Sequence, residues 1–205
     1  AAAKLGRMEG RGEELERLGA ALVAARAAVE TAGTALSQLR RKAAPRLARE
    51  VSRHLADLGF REAKFSVELA PLGQPGGAGL EEAEFMFAPN PGEPAKALRV
   101  IASSGEMSRV MLAVKSALAK EDNIPLLVFD EIDANVGGEI AAAVGRKMRE
   151  LGSSHQIISI THMPQVAALA ASHFLVTKVV EGGRTHSELT AVSGAARVDE
   201  IARML

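Results

Sequence analysis

The amino-terminal part of the chain repeats apolar residues with the spacing of a coiled coil. Residues 8–39 are rich in Ala, Leu, Glu and Arg, and they keep apolar a and d positions over four heptads. Such a seam buries nothing alone, so we expect a partner helix, and none is obvious elsewhere in the sequence. The alternative is an amphipathic helix that packs on the rest of the chain. The seam consists of Leu15, Leu18, Leu22, Ala25, Val29, Ala32, Leu36 and Leu39.

Beyond this seam, predicted strands alternate with predicted helices. Pro45 predicts a kink or a new helix start, and Gly59 predicts the end of the second helix. The Gly- and Pro-rich residues 71–82 form either a hairpin or a loop. The alternation that follows predicts an α/β fold with a parallel sheet and a closing antiparallel hairpin. Strands are predicted at residues 64–69, 84–88, 124–129, 155–160, 173–180 and 185–190, and helices at 103–120, 139–151, 164–171 and 198–205.

The predicted strand at residues 124–129 carries the first chemical signal. A short, wholly apolar run of this kind predicts a strand buried on both faces of a parallel sheet. It is followed by Asp130, Glu131 and Asp133, at the edge where open α/β sheets bind ligands. Phosphoryl-transfer sites have this layout, with a strand-end Asp on Mg²⁺ and a neighbouring group that orients water. Alternatively, these acids cap the next helix or form surface ion pairs.

Two further segments are candidates for the same edge. His162 follows the predicted strand 155–160, which we expect to lie parallel and next to the acidic strand, although a lone histidine there is more often structural. Free N–H groups and the dipole of a helix start favour a bound phosphate, whereas the same residue types also form an ordinary capping box. The predicted helix start consists of Ser103, Ser104, Gly105 and Glu106.

The composition of the chain argues against several classes of protein and site. Lys plus Arg and Asp plus Glu both number 25, so no overall basic field indicates nucleic acid. The absence of cysteine excludes disulfides and thiolate zinc sites, and it fits a reducing cytoplasm. No apolar run approaches the roughly 20 residues that span a membrane, and no signal peptide pattern is present. The chain begins with Ala inside a helical pattern, which predicts a fragment of a longer protein.

A cluster of basic residues surrounds the predicted helix junction. A run of this kind is either a solvated helix face or a surface that contacts the phosphate backbone of DNA, which requires positive charge and no base readout. We call these residues the basic cluster: Arg40, Arg41, Lys42, Arg46, Arg49 and Arg53.

Three separated segments, in this order, resemble ABC-type ATPases, and more closely the RecN family of DNA-repair proteins, which are relatives of the SMC family. These segments are ASSGEMSRVMLAVK, LLVFDEIDANVGG and HQIISITHMPQVAA. The resemblance covers nearly the whole chain. It implies a coiled-coil stub and junction helix at residues 1–58, then the carboxyl-terminal lobe of an ABC-type ATPase head at residues 59–205, with a mainly parallel sheet flanked by helices.

The resemblance also implies a role for each candidate residue. Asp130 would help to hold Mg²⁺, Glu131 would be the general base for the attacking water, and His162 would contact the γ-phosphate of ATP. Asp133 would begin the D-loop, which crosses to the opposite subunit. The signature motif, which touches ATP on the other subunit, would comprise Ser103, Ser104, Gly105 and Glu106. The family usually has Gly where Ser104 stands, and a left-handed backbone there would cost Ser on the order of 1 kcal/mol.

No phosphate loop of the form G-x-x-x-x-G-K-[ST] occurs in the sequence. The resemblance implies that an amino-terminal half of the same head supplies that loop and the helix that pairs with the seam. The implied function is a head that hydrolyses ATP, dimerises with a second head and bridges DNA in double-strand break repair and recombination, in the cytoplasm at the nucleoid and without a membrane partner. The chain alone is predicted to be inactive. The alternatives are a nucleotide-binding subunit of an ABC transporter and a non-catalytic coiled-coil dimerisation module.

Overall fold

The computed structural model describes residues 2–101 and 103–205, so Ala1 of the expected stub and Ala102 of the first motif lie outside the described residues. The elements form a mixed α/β fold with one parallel and two antiparallel sheets, which confirms the predicted fold class. The helices are α1 (Ala2–Asp57), α2 (Ser104–Leu118), α3 (Gly138–Leu151), α4 (Pro164–Ala167) and α5 (Gly194–Met204), with a 3-10 turn at Leu98–Val100. The strands are β1 (Lys64–Gly76), β2 (Gly79–Ala88), β3 (Lys96–Ala97), β4 (Leu126–Phe129), β5 (Gln156–Ser159), β6 (His173–Glu181) and β7 (Arg184–Val192).

Helix α1 runs through Pro45 without interruption, so the predicted new helix start is wrong. A proline inside a helix removes one backbone hydrogen bond at a cost of about 3 kcal/mol, and the strong helix formers on both sides continue the helix. Of the eight seam residues, all of them described, only Leu36 is even half-buried. The seam therefore has no partner among the described residues. No helix in the described part of the chain has the length and hydropathy needed to cross a bilayer.

Helix α1 ends at Asp57, just before Gly59, the residue that was predicted to stop it. Gly59 has a φ of +93°, the N–H of Phe60 donates to the carbonyl of Leu55 at 3.0 Å, and the N–H of Gly59 donates to the carbonyl of Ala56 at 3.4 Å. This pair of bonds is a Schellman motif, which requires a left-handed residue at Gly59. A Cβ there would also approach Cδ1 of Ile140 to 2.8 Å, so α3 packs directly on this turn.

The Gly- and Pro-rich segment forms a hairpin, because β1 and β2 extend to Gly76 and from Gly79. Pro71 and Pro75 are accommodated since β1 is the edge strand of the sheet β1-β2-β3, where a missing N–H need not break the ladder.

The chain folds as two compact units. One comprises α1 up to Leu47 together with Ser66–Phe85, and the other comprises Ala48–Phe65 and Met86–Leu205. The expected division at residue 58 stays a prediction.

In the first unit, the hairpin is fixed to α1 by a buried acid. Glu81 is 5% exposed, and the Arg41 guanidinium lies 2.5 Å from its carboxylate. Arg40 donates to the Glu81 carbonyl at 3.1 Å. Gly33 gives room to Leu80, because a Cβ at Gly33 would lie 2.5 Å from Cγ of that leucine. This packing explains a glycine that weakens the heptad helix.

In the second unit, β4 and β5 pair in parallel with Leu126 opposite Gln156 and Phe129 opposite Ser159, as predicted. Leu127 and Phe129 are buried, whereas Leu126 and Val128 are 42% and 60% exposed. The prediction that this strand is buried on both faces is therefore wrong for this chain, since only one face has a covering layer. The core of the unit includes Val51, Leu55, Leu58, Phe87, Leu112, Ile132 and Val144.

The predicted closing hairpin is present as β6 and β7. The two strands pair from His173 opposite Val192 to Glu181 opposite Arg184. Gly182 and Gly183 connect them with φ values of +58° and +75°, as a type I′ turn requires. The final helix begins at Gly194, four residues before its predicted start at residue 198, because the helix formers Ala195, Ala196 and Arg197 supply its first turn.

Candidate functional site

The start of α2 packs against the acidic turn that follows β4. A Cβ on Gly105 would lie 3.1–3.2 Å from Cβ and O of Ala134 and from the Glu131 carbonyl oxygen, so a larger residue would have to push this backbone away by a few tenths of an ångström. The Ser108 hydroxyl donates to the Asp130 carbonyl at 3.0 Å. Arg109 donates to the Ala134 carbonyl at 3.3 Å. These contacts hold the predicted signature segment and the predicted acidic site as one piece of structure.

The acidic turn is anchored by one apolar side chain and exposes two acids. Ile132 is fully buried, while Asp130 and Glu131 are exposed. Glu131 adopts a φ of +54°, which is uncommon for a residue other than glycine and is often found at functional sites. The N–H of Ala134 closes the turn by donating to the Glu131 carbonyl at 3.0 Å.

The two serines at the start of α2 have different roles. Ser103 is the N-cap, and its hydroxyl accepts a hydrogen bond from the Glu106 N–H at 3.3 Å, as in a capping box. Ser104 donates its hydroxyl to Oε2 of Glu131 at 2.6 Å. Among the described non-glycine residues only Glu131 and Asn135 have a positive φ, so the backbone strain considered for Ser104 does not arise.

The third acid lies inside the protein. Asp133 is 1% exposed and accepts a hydrogen bond from the Thr161 hydroxyl. Its other oxygen, Oδ1, lies 3.7 Å from Nδ1 of His162 and accepts no hydrogen bond from the described residues. The His162 side chain is 72% exposed. The ends of β4 and β5 thus bring an acid and the predicted histidine together.

Sequence reasoning missed Thr161 and Arg109. Thr161 directly precedes His162, and a hydroxyl residue at the end of a strand was the signal that could have identified it as a hydrogen-bond donor to the site. Arg109 is 8% exposed, and its guanidinium carbon lies 5.1 Å from the ring centroid of Phe60. Burial lowers the pKa of Arg109, and Glu106 opposes that shift. No feature of the sequence distinguishes this buried arginine from a surface residue of α2.

No protein-family model matches the chain. The DNA repair protein RecN of Xylella fastidiosa is 42% identical over 172 residues, which are 83% of this chain and 31% of the relative. The RecN proteins of Streptomyces coelicolor and Bacillus subtilis are 40% and 37% identical over 83% and 87% of this chain, and 32% and 33% of their own lengths.

The chain belongs to the RecN family. It spans about a third of the length of these RecN relatives.

Solved structures with the same fold as this RecN-family chain are SMC heads. One, from work on ATP-driven dimerization and DNA-stimulated activation of SMC ATPases, has a TM-score of 0.50 and 22% identity, and covers 82% of this chain and 96% of its own. The Smc head domain with a coiled coil and joint from Pyrococcus yayanosii has a TM-score of 0.56 and 22% identity, and covers 77% and 28%. At these identities the likeness shows the fold alone.

The donor set of this RecN-family chain fits Mg²⁺ only as a partial site. No group of three or more His, Asp or Glu side chains in the described ranges is arranged to hold a metal ion. Magnesium, however, is commonly bound by one or two carboxylates together with substrate phosphates and water. Asp130 offers one exposed carboxylate at the end of β4, and Asp133 has an oxygen without a hydrogen bond.

Three arginines of the basic cluster contact a glutamate, although the side chains of Arg41 and Arg53 remain 68% and 64% exposed. Arg40 and Arg41 bind Glu81, and Arg53 pairs with Glu50 at 2.9 Å. The hydrogen bond from Arg41 lowers the pKa of Glu81. The remaining members, Lys42, Arg46 and Arg49, are exposed.

Proposed function

We propose that this chain is the carboxyl-terminal half of an SMC-like head that hydrolyses ATP and acts in DNA double-strand break repair and recombination. The observation that carries the proposal is the carboxyl edge of β4 and β5, where His162 lies beside Asp133 and Glu131 accepts a hydrogen bond from the start of α2. The names of the RecN relatives support the role in DNA repair, and the SMC neighbours support the ATPase.

The proposed roles follow from what each group offers. Asp130 is the exposed carboxylate that would hold Mg²⁺, which neutralises charge on the phosphates when it is bound. Glu131 would accept a proton from the attacking water, because its carboxylate is exposed and forms no ion pair with the described residues. His162 would donate to the γ-phosphate through Nε2, since Nδ1 faces Asp133.

The start of α2 would contact the phosphates of ATP that is bound to a second head. Backbone N–H groups and serine hydroxyls at a helix start stabilise negative charge on a transferring phosphoryl group. The residues concerned are Ser103, Ser104, Gly105 and Glu106, with Asp133 as the first residue of the D-loop. The second head would belong to a homodimer.

Several uncovered apolar surfaces support a missing amino-terminal half. Leu126 and Val128 of β4 are exposed, and so are Ile158 and Ile160 at 47% and 60%. A parallel sheet is normally covered on both faces, so this face would be buried by further polypeptide. The exposed seam of α1 would pair with a helix of this amino-terminal half. This half would also supply the phosphate loop, so the chain alone would be inactive.

Head dimers would bridge DNA in the cytoplasm, at the nucleoid. Lys42, Arg46 and Arg49 of the basic cluster would contact the DNA phosphates. A long exposed arm is not needed by a transporter subunit, which disfavours that alternative.

The test is hydrolysis of ATP by the full-length protein that contains this chain. Glu131→Gln should lower kcat about a hundredfold or more, because an amide cannot accept the proton, while ATP binding remains. Glu139→Gln, an exposed acid in the first turn of α3, is the matched control and should retain activity. Stimulation by linear DNA favours the repair function. An active Glu131→Gln variant overturns the proposed base, and no hydrolysis by the unaltered protein favours the non-catalytic dimerisation module.

A further inference from the structure

We infer that the Ser104 hydroxyl is a switch that restrains the general base Glu131 until the start of α2 engages a nucleotide phosphate. This inference rests on the proposed function. It adds a regulatory role for Ser104, which stands where the RecN resemblance would lead us to expect glycine. Oγ of Ser104 donates a 2.6 Å hydrogen bond to Oε2 of Glu131.

The hydroxyl of Ser104 is not needed to build the helix. Ser103 is the N-cap and accepts the bond from the Glu106 N–H. Ser104 is the first residue of α2, and its side chain instead contacts a residue 27 positions later. A glycine at this position would lack the contact entirely.

The backbone geometry keeps the two partners together. Gly105 lies against the carbonyls of Glu131 and Ala134, and Ser108 donates to the Asp130 carbonyl. The acidic turn and the start of α2 are therefore fixed to each other, and release of Glu131 requires only side-chain rotation. The exposed position of Glu131 leaves room for that rotation.

The switch follows from the number of protons available. A serine hydroxyl has one proton to donate, and in the structure Ser104 donates it to Glu131. A phosphate oxygen at the start of α2 would require the same proton. Ser104 therefore cannot donate to both acceptors at once, and phosphate binding there frees the carboxylate of Glu131.

The consequence is a link between two nucleotide sites. In the proposed dimer, Glu131 acts on ATP bound to its own head, whereas the start of α2 touches ATP bound to the second head. Ser104 therefore delays hydrolysis in one head until that head has engaged the nucleotide of its partner.

The experiment compares ATP hydrolysis by the full-length protein and its variants at Ser104, without DNA and at low protein concentration, where head dimers are scarce. Ser104→Ala and Ser104→Gly should raise kcat about fivefold, the scale of one lost hydrogen bond, with KM changed less than twofold. Ser104→Thr keeps a hydroxyl, so its kcat should lie below that of Ser104→Ala. Ser116→Ala is the matched control, because Ser116 lies on α2 and bonds only the Leu112 carbonyl of its own helix.

Raising the protein concentration provides a second readout. The kcat of the unaltered protein should rise as heads engage, and that of Ser104→Ala should rise much less. An unchanged or lower kcat for Ser104→Ala overturns the switch, since the serine would then be idle or would support the base. If Glu131→Gln removes hydrolysis while Ser104→Ala does not raise it, only the switch fails. If Glu131→Gln has no effect, the proposed function itself fails.

Discussion

Two glutamates receive short hydrogen bonds in different parts of the molecule, and their surroundings differ. Glu81 in the first unit is 5% exposed and is paired with the Arg41 guanidinium. Glu131 in the second unit is exposed and accepts a hydrogen bond from the Ser104 hydroxyl. A buried carboxylate needs a compensating cation, whereas an exposed one beside a hydroxyl keeps its charge available for a ligand. The comparison separates an acid that maintains the fold from an acid suited to chemistry.

The largest effect expected from this comparison concerns stability. Glu81→Gln should lower the urea midpoint of the 205-residue chain, because the charge-assisted bond from Arg41 to a buried carboxylate is replaced by a weaker bond to a neutral amide oxygen. Glu131→Gln should leave the midpoint nearly unchanged, since the amide oxygen still accepts from Ser104. Equilibrium unfolding followed by circular dichroism measures both variants. Equal losses of stability would remove the distinction between the two acids.

The same distinction applies to the basic cluster. Arg46→Glu combined with Arg49→Glu should weaken DNA binding about tenfold or more and reduce the slope of log K against log salt by about 2. The double variant Arg11→Glu, Arg26→Glu changes charge equally on exposed parts of α1 and should have a smaller effect. Fluorescence anisotropy with duplex DNA at several salt concentrations measures this. Identical losses for the two variants would indicate a nonspecific effect of net charge.

Gly105 and Gly33 are both closely packed, but against different kinds of atoms. Gly105→Ala should cost about 1–3 kcal/mol and lower ATP hydrolysis, because its Cβ would meet backbone carbonyls of the acidic turn. Gly33→Ala would meet the Leu80 side chain, which can move, and alanine favours a helix by about 1 kcal/mol over glycine. We therefore expect a smaller loss there. Thermal unfolding of both variants gives the result, and a stable, active Gly105→Ala variant would contradict the proposed close approach.

The smallest expected effect is a pH dependence. The Arg41 hydrogen bond lowers the pKa of Glu81 from its ordinary value of 4.5 in the folded chain. The ionised carboxylate therefore stabilises the fold fully above pH 4.5, and this contribution declines as pH falls through the lowered pKa. The stability difference between the unaltered chain and Glu81→Gln should shrink below that pH. A difference that grows on acidification would contradict this assignment.

The elements with strong periodicity could be predicted from the sequence. The parallel pair of β4 and β5, the hairpin of β6 and β7 and the end of α1 at Gly59 depend on local patterns and turn residues, and all three are present. At Pro45 a kink and a new helix start were both expected as alternatives, and the new start is wrong because neighbouring helix formers outweigh one missing hydrogen bond.

The site could be predicted only in part. The positions of Glu131, Asp133 and His162 at strand ends followed from strand order, and the structure brings Asp133 and His162 together. The contact of Ser104 with Glu131 joins residues 27 positions apart, and no local pattern encodes it. Burial on both faces of β4 was expected from its apolar residues, but Leu126 and Val128 are exposed, because an apolar run shows that a strand can be buried and not what covers it.

The central claim is that this chain supplies one half of a composite ATPase site. The most direct measurement mixes the purified 205-residue chain with a separately produced amino-terminal half of the same protein and follows phosphate release from ATP. Neither half alone should hydrolyse ATP, the mixture should hydrolyse it, and that activity should be lost when the chain carries Glu131→Gln. Hydrolysis by the chain alone at the rate of the mixture would contradict this claim.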